Sequence, residues 1–178
     1  MSTDEIVHPT FNSYWVIPGR FMAGEYPGAV EDSETKLKLR WLLSQPTHLF
    51  VDLTKENETG LLPYYGILVE EAGNLSRRVM HVRLPLQDFG TPTPEQVAEV
   101  LDTLDLALSL GKNVYLHCFG GRGRTGTVVG CYLVRHGLVG GDPLARLQEL
   151  RRDTPDSGEN SPETEGQKRM VIGWKKGQ

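Results

Sequence analysis

The chain has 178 residues, of which 38% are hydrophobic and 24% charged, and its formal net charge is −4. This length fits one globular domain, and the negative charge argues against binding to nucleic acid or to an anionic membrane surface. Two cysteines are too few for a disulfide scaffold, and no apolar run approaches the roughly 20 residues that span a bilayer. We therefore expect a single domain over residues 1–178, monomeric and in a reducing, cytoplasmic compartment.

Short apolar segments and helix-like segments alternate through the first half of the chain. Two brief strands come first, separated by Pro18-Gly19, and a helix that Asp32 or Ser33 could cap follows them. Two later apolar runs have the length and composition of strands. The patterns predict strands at residues 15–17 and 21–23, a helix from about 32 to 44, and strands at 47–53 and 79–84.

The second half begins with a capping box, Thr93-Pro94-Glu95-Gln96, which has proline at the first helical position. The helix that it opens carries an apolar stripe and ends at Gly111. The remaining patterns predict a strand at 113–117, a helix from 124 to about 136, a helix from Asp142-Pro143 to Leu150, a surface loop at 153–161, and a last helix from Ser161-Pro162.

This alternation of strands and helices predicts an α/β fold. We expect a central, mostly parallel sheet of about four to five strands, flanked by helices on both faces. Ligands of such sheets bind beyond the carboxyl ends of the strands. Since the glycine-rich turn after His117 lies at such an end, we expect the functional site there.

The decisive turn lies within residues 117–126, which read HCFGGRGRTG. Its glycines allow consecutive N–H groups to point inward and form an anion-binding nest, and the helix that follows adds free N–H groups and a positive dipole end. We predict that a phosphate dianion is held by this turn, with Arg124 as a bidentate clamp. The predicted substrate-binding residues are Phe119, Gly120, Gly121, Arg122 and Gly123.

The same positive field acts on Cys118, which begins the turn. It favours the thiolate, and a thiolate is the reactive form of a cysteine nucleophile. The Thr125 hydroxyl could donate a hydrogen bond to the sulfur when the thiolate leaves. We therefore predict that Cys118 attacks phosphorus while Arg124 holds the phosphate. The alternative is a structural turn in which the cysteine is incidental.

The pattern H-C-x2-G-x-G-R-T-G resembles the phosphate-binding loop of the cysteine-dependent protein tyrosine phosphatase superfamily. The segments AGEYPG (23–28), VDLT (51–54) and SPETEGQ (161–167) resemble a compact, bacterial-type dual-specificity subgroup. The resemblance extends from about Trp15 to Trp174, which would form the catalytic core. It implies a dual-specificity-phosphatase-like fold, a cysteinyl-phosphate intermediate, and neither a metal ion nor a cofactor.

Expelling the leaving oxygen requires a proton donor. The resemblance implies an aspartate about thirty residues before the cysteine, and Asp88 stands there, just after a predicted strand, between Pro85 and Pro92. Asp88 is our predicted general acid, although turn aspartates often only bind nearby N–H groups. The rival carboxylates are Asp52, which we expect to fix a neighbouring loop, and Glu95, which we expect to complement a helix dipole.

Arg122 bears on the choice of substrate, and Gln167 bears on the position of the hydrolytic water. Phosphoinositide phosphatases of the family carry a basic residue at the position of Arg122 and another directly after the cysteine. Here Phe119 follows the cysteine, so Arg122 indicates either a polyanionic substrate or a solvated charge at the rim of the pocket. Gln167 falls on the same helical stripe as Val171 and Trp174, which predicts burial. It would orient the hydrolytic water, as in some relatives, or tie down the loop at 153–161.

The remaining candidates have structural interpretations. His117 should point away from the pocket if Cys118 points into it, because successive strand residues alternate. Cys131 is most simply a small core residue, with a resolving thiol as the alternative. Gly126 and Gly130 share a helix face and should permit close packing. Two tyrosines, Tyr64 and Tyr65, either line the pocket mouth or are partly buried without a function.

The sequence therefore predicts a phosphatase that acts on phosphotyrosine and on phosphoserine or phosphothreonine in proteins. A shallow pocket is expected because the chain lacks the extra segments that deepen the slot in larger relatives. Three alternatives stay open: an inositol-phosphate or phosphoinositide phosphatase, a sulfur transferase or arsenate reductase, and a catalytically inactive phosphate-binding module. The presence of a cysteine, an arginine and an acid disfavours the last two.

Overall fold

A computed structural model describes residues 11–138 and 140–178. Its centre is a five-stranded sheet in the order β1-β2-β5-β3-β4. β1 and β2 form an antiparallel hairpin, and the remaining neighbours run parallel. The strands are β1 (Ser13–Ile17), β2 (Phe21–Gly24), β3 (Leu49–Asp52), β4 (Met80–Arg83) and β5 (Val114–His117). The predicted mostly parallel α/β sheet is confirmed.

In the part of the chain that the structure describes, six helices cover the sheet. They are α1 (Asp32–Ser44), α2 (Tyr65–Asn74), α3 (Pro94–Ser109), α4 (Gly123–Arg135), α5 (Pro143–Leu150) and α6 (Glu165–Gly173). The capping box before α3 forms as predicted, and Asp142 caps α5 through the N–H of Leu144. No helix in the described part of the chain is long and apolar enough to cross a membrane.

Two local expectations were wrong, and one helix had not been expected. The sequence patterns did not predict α2. The N-cap of α1 is Glu31, whose side chain makes no capping hydrogen bond, so neither Asp32 nor Ser33 caps that helix. The last helix begins after Thr164, not at Ser161-Pro162. Thr164 and Gln167 form a second capping box, which satisfies the first free N–H groups of α6.

The side chains of the strands alternate between two hydrophobic cores. Phe21, Val51 and Leu116 point toward the side covered by α3 to α6, whereas Phe50 and Tyr115 point toward α1 and α2. The predicted stripe of α3 supplies the first core with fully buried side chains, each worth about 1.5–3 kcal/mol relative to exposure. They are Val97, Val100, Leu101 and Leu104. Helices therefore lie on both faces, and the carboxyl ends of the parallel strands stay open.

The contact between α4 and α6 depends on glycine. A Cβ at Gly130 would lie 2.7 Å from both Cγ atoms of Val171, and one at Gly126 would lie 2.1 Å from the Ser161 hydroxyl oxygen. The predicted close packing of this helix face is confirmed. It places the start of α6 beside the start of α4.

Candidate active site

The turn between β5 and α4 occupies the open edge of the sheet. β5 is the central strand, and His117 pairs with Gly24 of β2 on one side and Asp52 of β3 on the other. Gly121 has φ +76, and a Cβ there would lie 2.5 Å from the carbonyl carbon of Gly24, so only glycine fits. The N–H of Tyr26 donates to the Phe119 carbonyl at 2.9 Å. The turn is therefore fixed by its neighbouring strand.

A pocket of about 290 Å³ opens at this turn. Its lining residues are Asp88, Phe89, Cys118, Phe119, Gly120, Arg122 and Glu163. Cys118 is a free thiol and only 3% exposed, whereas the Phe89 and Phe119 side chains at the rim are 64% and 46% exposed. The structure thus brings the predicted nucleophile, the predicted acid and three of the predicted turn residues into one cavity.

Arg124 lies beneath the turn and is fully buried. Its Nη1 and Nη2 donate to the two carboxylate oxygens of Glu58 at 2.7 and 2.8 Å, and Nη2 lies 3.2 Å from Asp88 Oδ1. Its Nε has no partner within residues 11–138 and 140–178. Burial lowers the pKa of Arg124, but hydrogen bonding to Glu58 and the charges of Cys118, Glu58 and Asp88 outweigh it and raise the value. The guanidinium is therefore fixed, charged and still has a free donor.

Sequence reasoning missed Glu58. It lies in the loop after β3, and its carboxylate also accepts the N–H of Lys55 at 3.0 Å. Burial raises the pKa of Glu58, but the hydrogen bonds from Arg124 and from the Lys55 N–H, together with the charge of Arg124, outweigh it and lower the value. The only signal in the sequence was its position beyond the carboxyl end of a parallel strand, a property that Glu56 shares.

Asp88 sits in a tight turn after β4, in which the N–H of Gly90 donates to the Gln87 carbonyl at 3.1 Å. Phe89 takes a left-handed conformation, with φ +53. The Asp88 side chain is 40% exposed and reaches the guanidinium of Arg124. Water can therefore reach a carboxyl group that shares the pocket with Cys118 and contacts the Arg124 guanidinium.

Gln167 is fully buried, as predicted from its helical stripe. Its Oε1 accepts the N–H groups of Glu163 and Thr164, both at 3.1 Å, and its Nε2 donates to the Gly90 carbonyl at 3.1 Å. The amide thus ties the start of α6 to the loop that carries Asp88. None of these hydrogen bonds reaches the loop at 153–161, and one amide hydrogen stays available.

The rival carboxylates lie elsewhere. Asp52 is fully buried and accepts hydrogen bonds from the N–H and hydroxyl of Thr54, at 2.8 and 2.6 Å, and from Arg83. Burial raises its pKa, but a hydrogen bond to His81, the charge of His117 and the two hydrogen bonds from Thr54 outweigh it and lower the value well below its usual range. Glu95 lies in the exposed first turn of α3 and does not line the pocket. Both residues have the structural positions expected of them.

His117 is buried and points away from the pocket, as predicted. Its Nε2 is 2.6 Å from the Tyr64 hydroxyl, and its Nδ1 is 3.4 Å from the Cys118 carbonyl. Burial is the main cause that lowers the pKa of His117 to about 4, with Asp52 opposing it. A neutral ring satisfies both hydrogen bonds, because its Nδ1–H donates to the Cys118 carbonyl and its Nε2 accepts from the Tyr64 hydroxyl. His117 therefore links the backbone of Cys118 to the second hydrophobic core.

Among the other candidates, Cys131, Tyr64 and Tyr65 are structural. Cys131 is fully buried in the first core, and burial raises the pKa of its thiol, which argues against a resolving role. Tyr64 is buried and Tyr65 is 49% exposed, and neither lines the pocket. Thr125 is fully buried, and its hydroxyl has no partner in the described part of the chain.

Arg122 is not a solvated charge at the rim. Its guanidinium lies within 3.5 Å of three carboxylates, those of Asp156, Glu159 and Glu163. The shortest of these contacts, from Nη2 to Glu163 Oε1, is 3.0 Å. A basic residue in the loop, read from sequence as a sign of a polyanionic substrate, is thus already paired within the protein.

Comparison with known proteins gives the family. Residues 29–138, more than half of the chain, match the family described as "Polymorphic toxin system, DSP-PTPase phosphatase" (Tc-R-P). The chain belongs to this family. This DSP-PTPase is 36% identical over 73 residues to the phosphatidylglycerophosphate phosphatase PTPMT1 of Arabidopsis thaliana, and 27% identical over 124 residues to the human dual specificity protein phosphatase CDC14A. These matches cover 40% and 68% of the chain, but only 22% and 19% of the relatives' own lengths.

Two solved structures share the fold of this chain. The active form of Tk-PTP is 25% identical to the DSP-PTPase and has a TM-score of 0.61, covering 91% of this chain and 95% of that one. TpbA of P. aeruginosa is 20% identical with a TM-score of 0.65, covering 94% and 87%. The chain is thus an enzyme of the DSP/PTP phosphatase superfamily.

Proposed function

We propose that this DSP-PTPase is a phosphoprotein phosphatase that hydrolyses phosphotyrosine and phosphoserine or phosphothreonine monoesters through a cysteinyl-phosphate intermediate. The observation that carries the proposal is the position of Asp88, which shares one pocket with Cys118 and lies 3.2 Å from the Arg124 guanidinium. The proposed nucleophile, phosphate clamp and proton donor thus lie close together beyond the carboxyl end of β5. Catalysis of this kind depends mainly on positioning and on charge stabilisation.

In the first step, the Cys118 thiolate attacks phosphorus in line with the ester oxygen. A sulfur–phosphorus bond forms while the phosphorus–oxygen bond breaks, and Asp88 gives its proton to the departing oxygen. Arg124 contributes the donor that has no partner in the described structure, its Nε–H, together with charge on Nη2. The N–H groups of residues 119–123 and the start of α4 stabilise the transferring group.

In the second step, the Asp88 carboxylate takes a proton from water, which attacks phosphorus. Inorganic phosphate leaves, and Cys118 departs as a thiolate. We assign the donor to this sulfur to the Thr125 hydroxyl, because it is buried and lacks a partner among the described residues. The remaining amide hydrogen of Gln167 is the group that we assign to orienting the water. We also place the protein, whose two thiols are free, in a reducing compartment.

The rim of the pocket supports a protein substrate. The exposed side chains of Phe89 and Phe119 offer apolar surface beside the phosphate site, which would suit the ring of phosphotyrosine or the stem of a phosphorylated side chain. Human CDC14A is by name a dual specificity protein phosphatase. PTPMT1 is by name a phosphatidylglycerophosphate phosphatase, which favours a phospholipid as the alternative substrate.

The test is hydrolysis of para-nitrophenyl phosphate in excess chelator, followed by a panel of phosphopeptides and inositol phosphates. We expect chelation to have no effect, Cys118→Ser to abolish turnover, and Asp88→Asn to lower it roughly 10²–10⁴-fold. Activity that needs metal or survives the serine substitution would refute the mechanism. Strict selectivity for phosphotyrosine would refute dual specificity, and preference for inositol phosphates would establish the alternative.

A further inference from the structure

Arg122 is neutralised by a set of three carboxylates, which we call the carboxylate cluster: Asp156, Glu159 and Glu163. The Arg122 side chain is 30% exposed, and those of Asp156 and Glu163 are 17% and 20% exposed. Arg122 and Glu163 both line the pocket that contains Cys118. The pairing therefore lies beside the phosphate site and not on a remote surface.

Other residues hold the carboxylate cluster in place. The fully buried Arg151 donates to Asp156 Oδ1 at 2.8 Å and to the carbonyl of Glu159 at 3.0 Å. The N–H of Glu163 donates to Gln167 Oε1 at 3.1 Å. The Asp156 carboxylate and the backbone of Glu159 and Glu163 are thus anchored next to Arg122, although the Glu159 side chain itself is exposed.

The residues around the pocket therefore carry a net negative charge. Among the described residues, its ion-paired network contains five carboxylates, the carboxylate cluster with Glu58 and Asp88, against three guanidinium groups, Arg122, Arg124 and Arg151. This is a formal excess of two negative charges. A ligand with one phosphate can use the N–H groups of the turn and Arg124, but a second phosphate near Glu163 or Glu159 meets like charge, which is strongly unfavourable.

We propose that Glu163 and Glu159 are specificity-determining residues, which hold Arg122 away from ligands and restrict the pocket to substrates with a single phosphate group. Polyphosphorylated inositols and lipid headgroups are thereby excluded. This inference rests on the proposed function and deepens it, because it selects phosphorylated side chains over the polyanionic alternative. Arg122, which in the sequence suggests a polyanionic substrate, is neutralised by three carboxylates in the folded protein.

The experiment measures binding in a Cys118→Ser background, so that no turnover is needed. Isothermal titration gives the affinities for inositol 1,3,4,5-tetrakisphosphate and for phosphotyrosine, and the readout is their ratio. Replacing Glu159 and Glu163 by Gln should shift this ratio toward the tetrakisphosphate by roughly tenfold or more, since each removed charge acts on every phosphate of the ligand. The shift should shrink at high salt because screening weakens it.

Two matched variants test whether the shift in the ratio depends on the positions of Glu159 and Glu163, or only on the net charge or on a change in structure. Glu56→Gln with Glu165→Gln removes the same number of charges from exposed positions, and the ratio should change much less. Adding Arg122→Gln to the Glu159/Glu163 variant should remove most of the gain, since Arg122 is the cation that becomes free.

An unchanged ratio in the Glu159/Glu163 variant would overturn the proposal, as would an equal shift in the Glu56/Glu165 variant. Equal loss of both affinities would show a structural role only, and would also overturn it. Failure of the proposed function is a separate result: the unmodified enzyme would then not hydrolyse phosphopeptides, whatever the binding ratio.

Discussion

Glu58 binds the guanidinium of Arg124 with both carboxylate oxygens, at 2.7 and 2.8 Å, from a loop 66 positions earlier in the chain. Arg124 is 1% exposed and Glu58 15% exposed, so the pair lies in a low-dielectric environment. Removing one partner of a buried pair leaves an uncompensated charge, which is costly. Glu58 also occupies Nη1 and Nη2, which leaves Nε as the donor without a partner in the described residues. The pair therefore orients the guanidinium that we propose as the phosphate clamp.

Replacing Glu58 by Gln should lower kcat/KM for para-nitrophenyl phosphate roughly 10- to 100-fold, because a displaced clamp misplaces the transferring group. The affinity for inorganic phosphate as a competitive inhibitor should fall in parallel, which distinguishes a positioning defect from loss of a proton donor. Glu56→Gln, in the same loop, is the matched control and should behave like the unmodified enzyme. Unaltered kinetics in the Glu58 variant would show that Arg124 is positioned without it.

The residues predicted for the centre of this site could be picked out from the sequence because they are contiguous in the chain. Cys118 and Arg124 lie in one turn, with a strand before it and a helix after it, so local patterns and the glycines suffice. Asp88 came from a resemblance, and the structure brings it into the same pocket. Glu58 could not be found in this way, because its role depends on a loop whose path is set by tertiary packing and because Glu56 is an equal candidate in sequence.

The missed helix has a similar explanation. α2 begins after Tyr64, which makes no side-chain cap, and contains Gly66 and Gly73, which lower its intrinsic propensity. Its stability comes from Leu68 and Ala72, which are fully buried in the second core against α1. Tertiary burial of this kind overrides a weak local signal.

Asp88→Asn should affect substrates according to their leaving group. Para-nitrophenolate leaves readily, whereas an alkyl oxygen needs full protonation, so the loss in kcat should be larger for phosphoserine peptides than for para-nitrophenyl phosphate. Steady-state kinetics on both substrates give the two ratios. Glu95→Gln, the rival carboxylate that does not line the pocket, should leave both unchanged. Equal losses on the two substrates would argue that Asp88 acts on binding and not on proton transfer.

His117 should make the fold sensitive to mild acid. Its pKa is about 4 in the folded protein, chiefly because of burial, and near 6.5 when exposed. Between these values the unfolded chain binds more protons, so the free energy of unfolding should fall as pH decreases, by about 2 kcal/mol from pH 7 to pH 5. The lowered pKa values of Asp52 and Glu58 act at lower pH, as pH falls below the usual carboxyl values of 3.8 and 4.5.

Urea unfolding at several pH values measures this slope. His117→Gln should flatten the decline between pH 7 and pH 5, whatever its effect on absolute stability. The control is His136→Gln, a half-exposed histidine on the far end of α4, which should retain the decline. A slope that survives the His117 substitution would assign the acid sensitivity to other groups.

The glycines of α4 and α2 should respond to alanine with opposite signs. A Cβ at Gly130 would press on the buried Val171 at 2.7 Å, and overpacking of this kind costs about 1–3 kcal/mol, more than the helix propensity that alanine gains. Gly66 is exposed in α2, and a Cβ there would meet no atom within 4 Å, so alanine should stabilise the protein by about 0.5–1 kcal/mol. Urea denaturation of the two variants gives both values.

Because α6 carries Gln167 and follows Glu163, the Gly130 variant should also lose activity under conditions where it is fully folded, whereas the Gly66 variant should not. If Gly130→Ala were as stable and as active as Gly66→Ala, the contact between α4 and α6 would not be needed to position the loop that carries Asp88.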